Sequence, residues 1–225
     1  MHIRVENLSK IYPEHEVKAL TDLTLSFERG EFVAVMGPSG CGKSSFLNLI
    51  AGIDRASTGK IYIADTEITQ LNDEELTRMR REKIGFVFQF FNLLSTLTAA
   101  ENVSLPLELA GNYSDAEIKK RCDEMLERVG LAQRASFYPS QLSGGEMQRV
   151  AIARAIIHSP ELIIADEPSG NLDSENGQMV LNLFSDLCRN GKHTAIMATH
   201  SMEAAAIADR CIHLRDGKLV EPSPQ

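Results

Sequence analysis

Four short, nearly continuous apolar runs punctuate the chain: EFVAVM (31–36), KIGFVF (83–88), LIIA (162–165) and TAIMA (194–198). Runs of this length without polar alternation predict strands covered on both faces. Between them, apolar residues recur at helical spacing. The clearest stretch is Ser114 to Val129, where Ser114 followed three residues later by Glu117 predicts a capping box and Gly130 predicts the stop. Strands that alternate with helices predict βαβ crossovers and a mainly parallel sheet, hence an α/β fold. From about Phe90 to His158 the rhythm changes, because helical patterns follow one another with no strand between. The expected organisation is therefore a single domain over 1–225. Residues 1–89 and 159–225 form its α/β core, and 90–158 form an inserted helical subdomain. MHIRVENLSK reads as an opening strand, and only the tail PSPQ reads as loose.

Composition changes this picture little. A hydrophobic fraction of 43% and a charged fraction of 24% are ordinary for a globular chain. The longest unbroken apolar runs, FVAVM and AAAIA, are far too short to span a bilayer. The N-terminal stretch lacks the apolar core of a signal peptide. Cys41, Cys122, Cys188 and Cys211 are scattered and form no CxxC pair, which suits a reducing compartment and offers no metal-site spacing. A net charge of −8 argues against a general nucleic-acid binder.

Candidate chemistry begins at GPSGCGKSS, Gly37 to Ser45. Gly37, Gly42, Lys43 and Ser44 satisfy G-x-x-x-x-G-K-[ST], with a predicted strand entering and a helical stretch leaving. In such a loop the residues Gly37, Pro38, Ser39, Gly40, Cys41, Gly42, Lys43, Ser44 and Ser45 wrap the phosphates. Every one but Pro38 has a backbone N–H to offer a phosphate oxygen, and the helix N-terminus adds partial positive charge. Lys43 then reaches the β- and γ-phosphates of ATP, and Ser44 holds Mg²⁺. LIIADE supplies the acidic complement at a strand end: Asp166 for the metal shell, and Glu167 to polarise the attacking water.

A second glycine-containing loop follows about a hundred residues later, QLSGGEMQRV, Gln141 to Val150. Ser143 and Glu146 make a capping box in front of an amphipathic helix. A cap needs no glycines, yet Gly144 and Gly145 occupy the first helical positions, where glycine costs stability and exposes backbone N–H groups. An anion docked there accounts for them. Since the first loop already wraps one nucleotide, the second is expected to cap ATP held by another copy of the chain.

LSGGE followed by a basic helix, downstream of a phosphate loop and upstream of LIIADE, resembles the signature motif of ATP-binding cassette (ABC) ATPases. The resemblance covers essentially the whole chain. It implies a RecA-like P-loop NTPase core with an N-terminal β subdomain and an inserted α-helical subdomain. It also implies a head-to-tail homodimer with two ATP sites, each completed in trans by Ser143, Gly144 and Gly145. Further matches lie at single positions. Tyr12, 25 residues before Gly37, matches the aromatic ring that stacks on adenine. Gln89 matches the glutamine that contacts Mg²⁺, beside Ser44 and Asp166, or water, and senses the γ-phosphate. Ser169 to Asp173 (SGNLD) match the loop that meets its counterpart across the dimer, and His200 the histidine that contacts the γ-phosphate. Glu146, Ser45, Ser169 and Thr66 depart from the commonest family residues without removing a functional group.

Phe90 and Phe91 follow Gln89 rather than sit in a strand, and with Leu93 and Leu94 they suggest a contact patch. In the resembled family this region receives a transmembrane permease subunit, and FQFFNLLSTLTAAENVSLPL looks most like macrolide-efflux and lipoprotein-releasing cassettes. The implied function is ATP hydrolysis powering a membrane transporter, from the cytoplasmic face of the inner membrane. The alternative is a non-transport ABC-type ATPase of DNA maintenance or translation. The former separates its two loops with long heptad coiled coils, and the latter carries two cassettes per chain; neither feature is present here.

Overall fold

In the computed structural model, which describes residues 2–13 and 17–220, all five residues of β3 (Phe32–Met36) are buried. They divide between two cores by parity, as the period of two in a strand dictates. Phe32, Ala34 and Met36 face one core, Val33 and Val35 the other. β7 (Leu162–Asp166) and β8 (Thr194–Thr199) divide in the same way. Ile163, Ala165, Ala195 and Met197 face the first core; Leu162, Ile164, Ile196 and Ala198 face the second. With β6 (Ile84–Val87) the four predicted strands lie side by side in a sheet covered on both sides, β6 at its edge. Two boundaries move inward in β6: Lys83 ends the preceding helix, α2 (Asp73–Lys83), and Phe88 lies beyond the strand.

The six-stranded sheet runs β10-β9-β3-β8-β7-β6 and is parallel apart from its β10 edge. β9 (Arg210–Arg215) and β10 (Lys218–Val220) were not expected, because they are largely exposed and lack a continuous apolar run. The signal was the turn: Asp216 (φ 49) and Gly217 (φ 73) take the two left-handed positions of a tight hairpin. A second, antiparallel sheet runs β2 (Val17–Phe27), β1 (Ile3–Tyr12), β4 (Thr58–Ile63), β5 (Thr66–Glu67). Its inner residues, among them Val5, Leu23 and Phe27, join the second core together with α1 (Lys43–Ile50). That helix is therefore held between two sheets. The tail PSPQ lies outside the described residues.

Between β6 and β7 the described residues contain no strand. They form α3 (Ala99–Ala110), α4 (Asp115–Arg128) and α5 (Gly144–Ile156), which pack on the first core with α6 (Ser174–Gly191). The short α7 (Met202–Ala205) follows β8. At α4 the predicted capping box is only half formed. Ser114 accepts from the Glu117 N–H, but the Glu117 carboxylate takes an ion pair with Arg121, one turn along. The stop is as read, with Gly130 at φ 69. A complete box, Thr98 with Glu101, opens α3 instead.

Buried Asn102 organises the turn before α3. Its Oδ1 accepts from Leu94 N–H (2.8 Å), and its Nδ2 donates to the carbonyls of Leu94, Leu97 and Thr98 (3.0–3.1 Å). Asn102→Ala is expected to destabilise the fold by about 2–3 kcal/mol, since several backbone groups lose their partner in the interior. Urea unfolding would show a lower midpoint at unchanged slope.

Candidate functional site

Parallel strands in register bring distant residues to one edge. Met36 pairs with Thr199, Asp166 with Ala198, and Val87 with Ala165. The segments that leave these strands, from Gly37, Gln89, Glu167 and His200, therefore emerge side by side at the carboxyl edge, where open α/β sheets place their ligands.

The 37–45 loop joins β3 to α1. A Cβ at Gly37 would collide with the Leu214 carbonyl oxygen and the Cys41 thiol, so only glycine fits there. Gly42 sits at φ 106 with the Ala19 carbonyl against it, and it caps α1 without any side chain. No acidic residue occupies the first turn of α1, whereas α2, α3 and α5 each begin with a capping box. The N–H groups that open α1 are left for an anion. Lys43, only 7% exposed, donates to the carbonyls of Gly37 (2.8 Å) and Pro38 (3.1 Å). Its ammonium lies 4.0 Å from Glu167 Oε1.

Across from it, burial pushes the Asp166 carboxyl above the usual carboxylate range and the Glu167 charge adds to this, while a hydrogen bond with Ser44 and the charge of Lys43 oppose it. A carboxylate so placed gains from a cation bound beside it. Glu167 has left the strand and sits at φ 47, a conformation that costs a non-glycine residue of order 1–3 kcal/mol. Its N–H donates to the Ala198 carbonyl (3.0 Å), and its Oε1 lies 2.9 Å from His200 Nδ1. The turn thus aims Asp166 and Glu167 in different directions from adjacent positions.

These groups surround one cavity of about 860 Å³. Tyr12, Pro38, Ser39, Gly40, Gly42, Lys43, Ser44, Ser45, Gln89, Asp166, Glu167 and His200 all line it. Gly37 and Cys41 do not; the Cys41 side chain is buried beneath the loop. Val17, Lys18 and Ala19 from β2 and the Asp216–Gly217 turn also line the cavity and were not anticipated. Their only sequence signal was the DG hairpin. Ser143, Gly144 and Gly145 are not brought to this cavity within the chain.

The sequence model of the family described as ABC transporter matches residues 20–170, two thirds of the chain. The chain belongs to the ABC transporter family. It is an ATP-binding cassette, the ATPase component of a transporter. An uncharacterised ABC transporter ATP-binding protein of Mycobacterium tuberculosis is 48% identical over 97% of this chain and 88% of its own. The macrolide export ATP-binding/permease protein MacB of Aggregatibacter actinomycetemcomitans is 44% identical over 97% of this chain, which spans 34% of that longer protein. Among solved structures, the dimeric post-hydrolysis state of the cassette MJ0796 of Methanocaldococcus jannaschii, bound to ADP and Pi, superposes with a TM-score of 0.90 at 42% identity, covering 97% of each chain.

The signature loop of the cassette has an internal neighbour that sequence reading missed. Ser143 and Glu146 form the full capping box, with N–H to Oε2 at 2.8 Å and N–H to Oγ at 3.3 Å. A Cβ at Gly144 would come within 3.3 Å of Leu172 Cδ2, and one at Gly145 within 3.3 Å of Asn176 Oδ1. The loop therefore packs on 169–176, the segment that contains SGNLD. Asp173 caps α6 by accepting from the Asn176 N–H (3.0 Å) and side chain (2.7 Å), while Asn171 donates to the Gln89 carbonyl (2.6 Å). Glycine here thus has a packing reason besides any anion.

After Gln89 the chain makes an unusual turn. Phe91 (φ 61) and Asn92 (φ 49) are both left-handed, and Arg154 of α5 holds their carbonyls at 2.8 and 2.6 Å. The turn projects Phe90, 71% exposed, and Leu94 is exposed nearby. Phe91 and Leu93 are half-buried, so the expected patch is narrower than the sequence suggested. No helix among the described residues is long and apolar enough to cross a membrane.

Proposed function

We propose that the cassette binds Mg-ATP in the 860 Å³ cavity and hydrolyses it as a head-to-tail homodimer, each site being capped by the partner copy's signature loop. The observation that carries this is the split arrangement. One cavity collects the phosphate loop, Gln89, Asp166, Glu167 and His200, while Ser143, Gly144 and Gly145 sit elsewhere with their helix N-terminus free of any acid but Glu146. Lys43 and the α1 N-terminus hold the β- and γ-phosphates, and Tyr12 stacks on adenine. Glu167, aimed by its left-handed turn and hydrogen-bonded to His200, accepts the proton of the attacking water. His200 and Gln89 contact the γ-phosphate and its water.

Ser44, Asp166 and Gln89 are hard oxygen donors that fit Mg²⁺, which takes one or two protein ligands and completes its shell with phosphate and water. The raised carboxyl of Asp166 is the feature such a cation would relieve. Held by Ser44, Asp166 and Gln89, Mg²⁺ would supply neutralisation of the phosphate charge. The domain division follows: 1–89 with 159–225 as the nucleotide-binding core, and 90–158 as the signature subdomain.

The kinship with MacB, named for macrolide export, supports an export or lipoprotein-release type of transporter, with the cassette peripheral on the cytoplasmic face of the membrane. The permease subunit contacts the patch around Phe90 and Leu94, flanked by Phe91 and Leu93. Phe90→Ser with Leu94→Ser should spare ATP binding and detach the cassette from its membranes, because exposed aromatic and aliphatic anchors carry much of an interface's energy. Fractionation of native membranes and identification of what a tagged cassette retains test it. Retention of the double variant on membranes, or recovery of only ribosomes or DNA with the parent, would overturn the assignment.

A further inference from the structure

The adenine-stacking role of Tyr12 raises the question of what fixes its ring. Tyr12 ends β1, so its side chain is placed by contacts from beyond the strand. Its hydroxyl donates to Asp54 Oδ2 at 2.9 Å and lies 3.4 Å from Ser45 Oγ, at the start of α1. Asp54 Oδ1 accepts from Lys10 Nζ (2.6 Å) and from the Arg55 N–H (2.7 Å). Lys10 also donates to the Arg55 carbonyl (2.8 Å) and is only 9% exposed, unusual for a lysine unless it is paired. The same ammonium stands 4.6 Å from the centre of the Tyr12 ring. One face of the ring is thus covered by a fixed cation, yet the ring lines the nucleotide cavity.

We propose that Lys10 and Asp54 are positioning residues of the nucleotide site, locking the Tyr12 ring so that only its outer face is offered to the adenine of ATP. The proposal rests on the reading of Tyr12 as the adenine platform. Burial works against the Asp54 charge, but hydrogen bonds from Lys10 and Tyr12 outweigh it and hold the carboxyl below its usual range. Asp54 is thereby an acceptor only, and the phenol must donate to it. The backbone N–H of Asp54 is tied to the Asn48 carbonyl at 3.2 Å, at the end of α1. The helix whose first turn forms the phosphate loop therefore also anchors, at its last turn, the group that sets the ring. Platform and phosphate loop are held at a fixed spacing by one rigid element. A simple tie between β1 and the segment after α1 would need the Lys10–Asp54 pair alone. The phenol hydrogen bond and the cation on the ring both end on Tyr12.

Calorimetric titration of the purified cassette with Mg-ADP, and separately with inorganic tripolyphosphate, tests this. Tyr12→Ala should weaken ADP binding by about 5- to 150-fold, the range of base–aromatic stacking. Tyr12→Phe, Asp54→Asn and Lys10→Met should each weaken it by about 3- to 10-fold, the worth of one anchoring hydrogen bond, with tripolyphosphate affinity unchanged. Tyr12→Phe keeps shape and ring, so it remains decisive if the Asp54 variant fails to fold. Unchanged ADP affinity in Tyr12→Ala would overturn the adenine platform itself. A weakened Tyr12→Ala beside unaltered Tyr12→Phe and Asp54→Asn would overturn only the positioning role. An equal loss of tripolyphosphate affinity would make the cluster a brace for the phosphate loop and overturn it too.

Discussion

Glu167→Gln is expected to lower ATP hydrolysis by about 10²–10⁴-fold while leaving ATP binding intact, the usual worth of a general base. The amide keeps the size of the side chain and can still meet His200 Nδ1, 2.9 Å away in the parent. Metal binding should not suffer, because the Glu167 charge is one of the influences that raise the Asp166 carboxyl, and its removal makes Asp166 easier to ionise. With cleavage blocked, ATP becomes a lasting link between two subunits. At about 100 times its dissociation constant, each nucleotide held only by the closed form favours that form by about 2.7 kcal/mol, and two sites by about twice as much. Light scattering behind a sizing column should show the Glu167→Gln cassette as a dimer with Mg-ATP and a monomer with ADP. Adding Ser143→Arg should abolish the dimer and leave ATP binding by the monomer, since a long cation then fills the loop that caps the partner's phosphates. Persistence of that dimer would sink the trans role of the signature loop.

Lys43→Ala should weaken ATP binding at least tenfold and reduce turnover by about 10²–10³-fold or more, because the loop loses its one formal charge on the β- and γ-phosphates. Lys43 also donates to the Gly37 and Pro38 carbonyls and is nearly buried, so part of any loss could come from the loop itself. Lys43→Met separates the two effects, as it fills the space without the charge. Both variants should melt within a few degrees of the parent and fail together in steady-state phosphate release. Turnover near the parental rate in Lys43→Met would remove Lys43 from the chemistry.

The legible part of this cassette was the part written in short stretches. The four adjacent strands β3, β8, β7 and β6 read correctly because burial on both faces demands unbroken apolar runs, and burial of all of β3 and of four of the five β7 residues bears that out. The phosphate loop was legible because the residue types that phosphate binding needs stand within nine positions, although its glycines answer to the Leu214 and Ala19 carbonyls of two distant strands. The capping box at Ser143 was legible too, being a reciprocal bond across three residues. Where a local code had a competitor it misled: Glu117 preferred Arg121, four residues on, to the Ser114 N–H, and the sequence offers both spacings without ranking them. β9 and β10 escaped because exposed edge strands carry little apolar signal, although the Asp216–Gly217 turn announced them.

By itself, then, the sequence determined the four adjacent apolar strands, the helical stretch between them and the phosphate loop, and which residue types stand ready for phosphate, metal and water. The tertiary structure decided their company. Only the strand order and the parallel register bring Gln89, Glu167 and His200 to the phosphate loop from far along the chain. Only the fold sets Glu167 in a left-handed turn, lays Gly144 and Gly145 against Leu172 and Asn176, and places Lys10 beneath Tyr12. The physical reason is range. Capping and strand parity are settled by neighbours a few residues away, and so they are written locally. The sheet order and the contacts between loops are settled by which faces bury together, a choice made by the whole core at once.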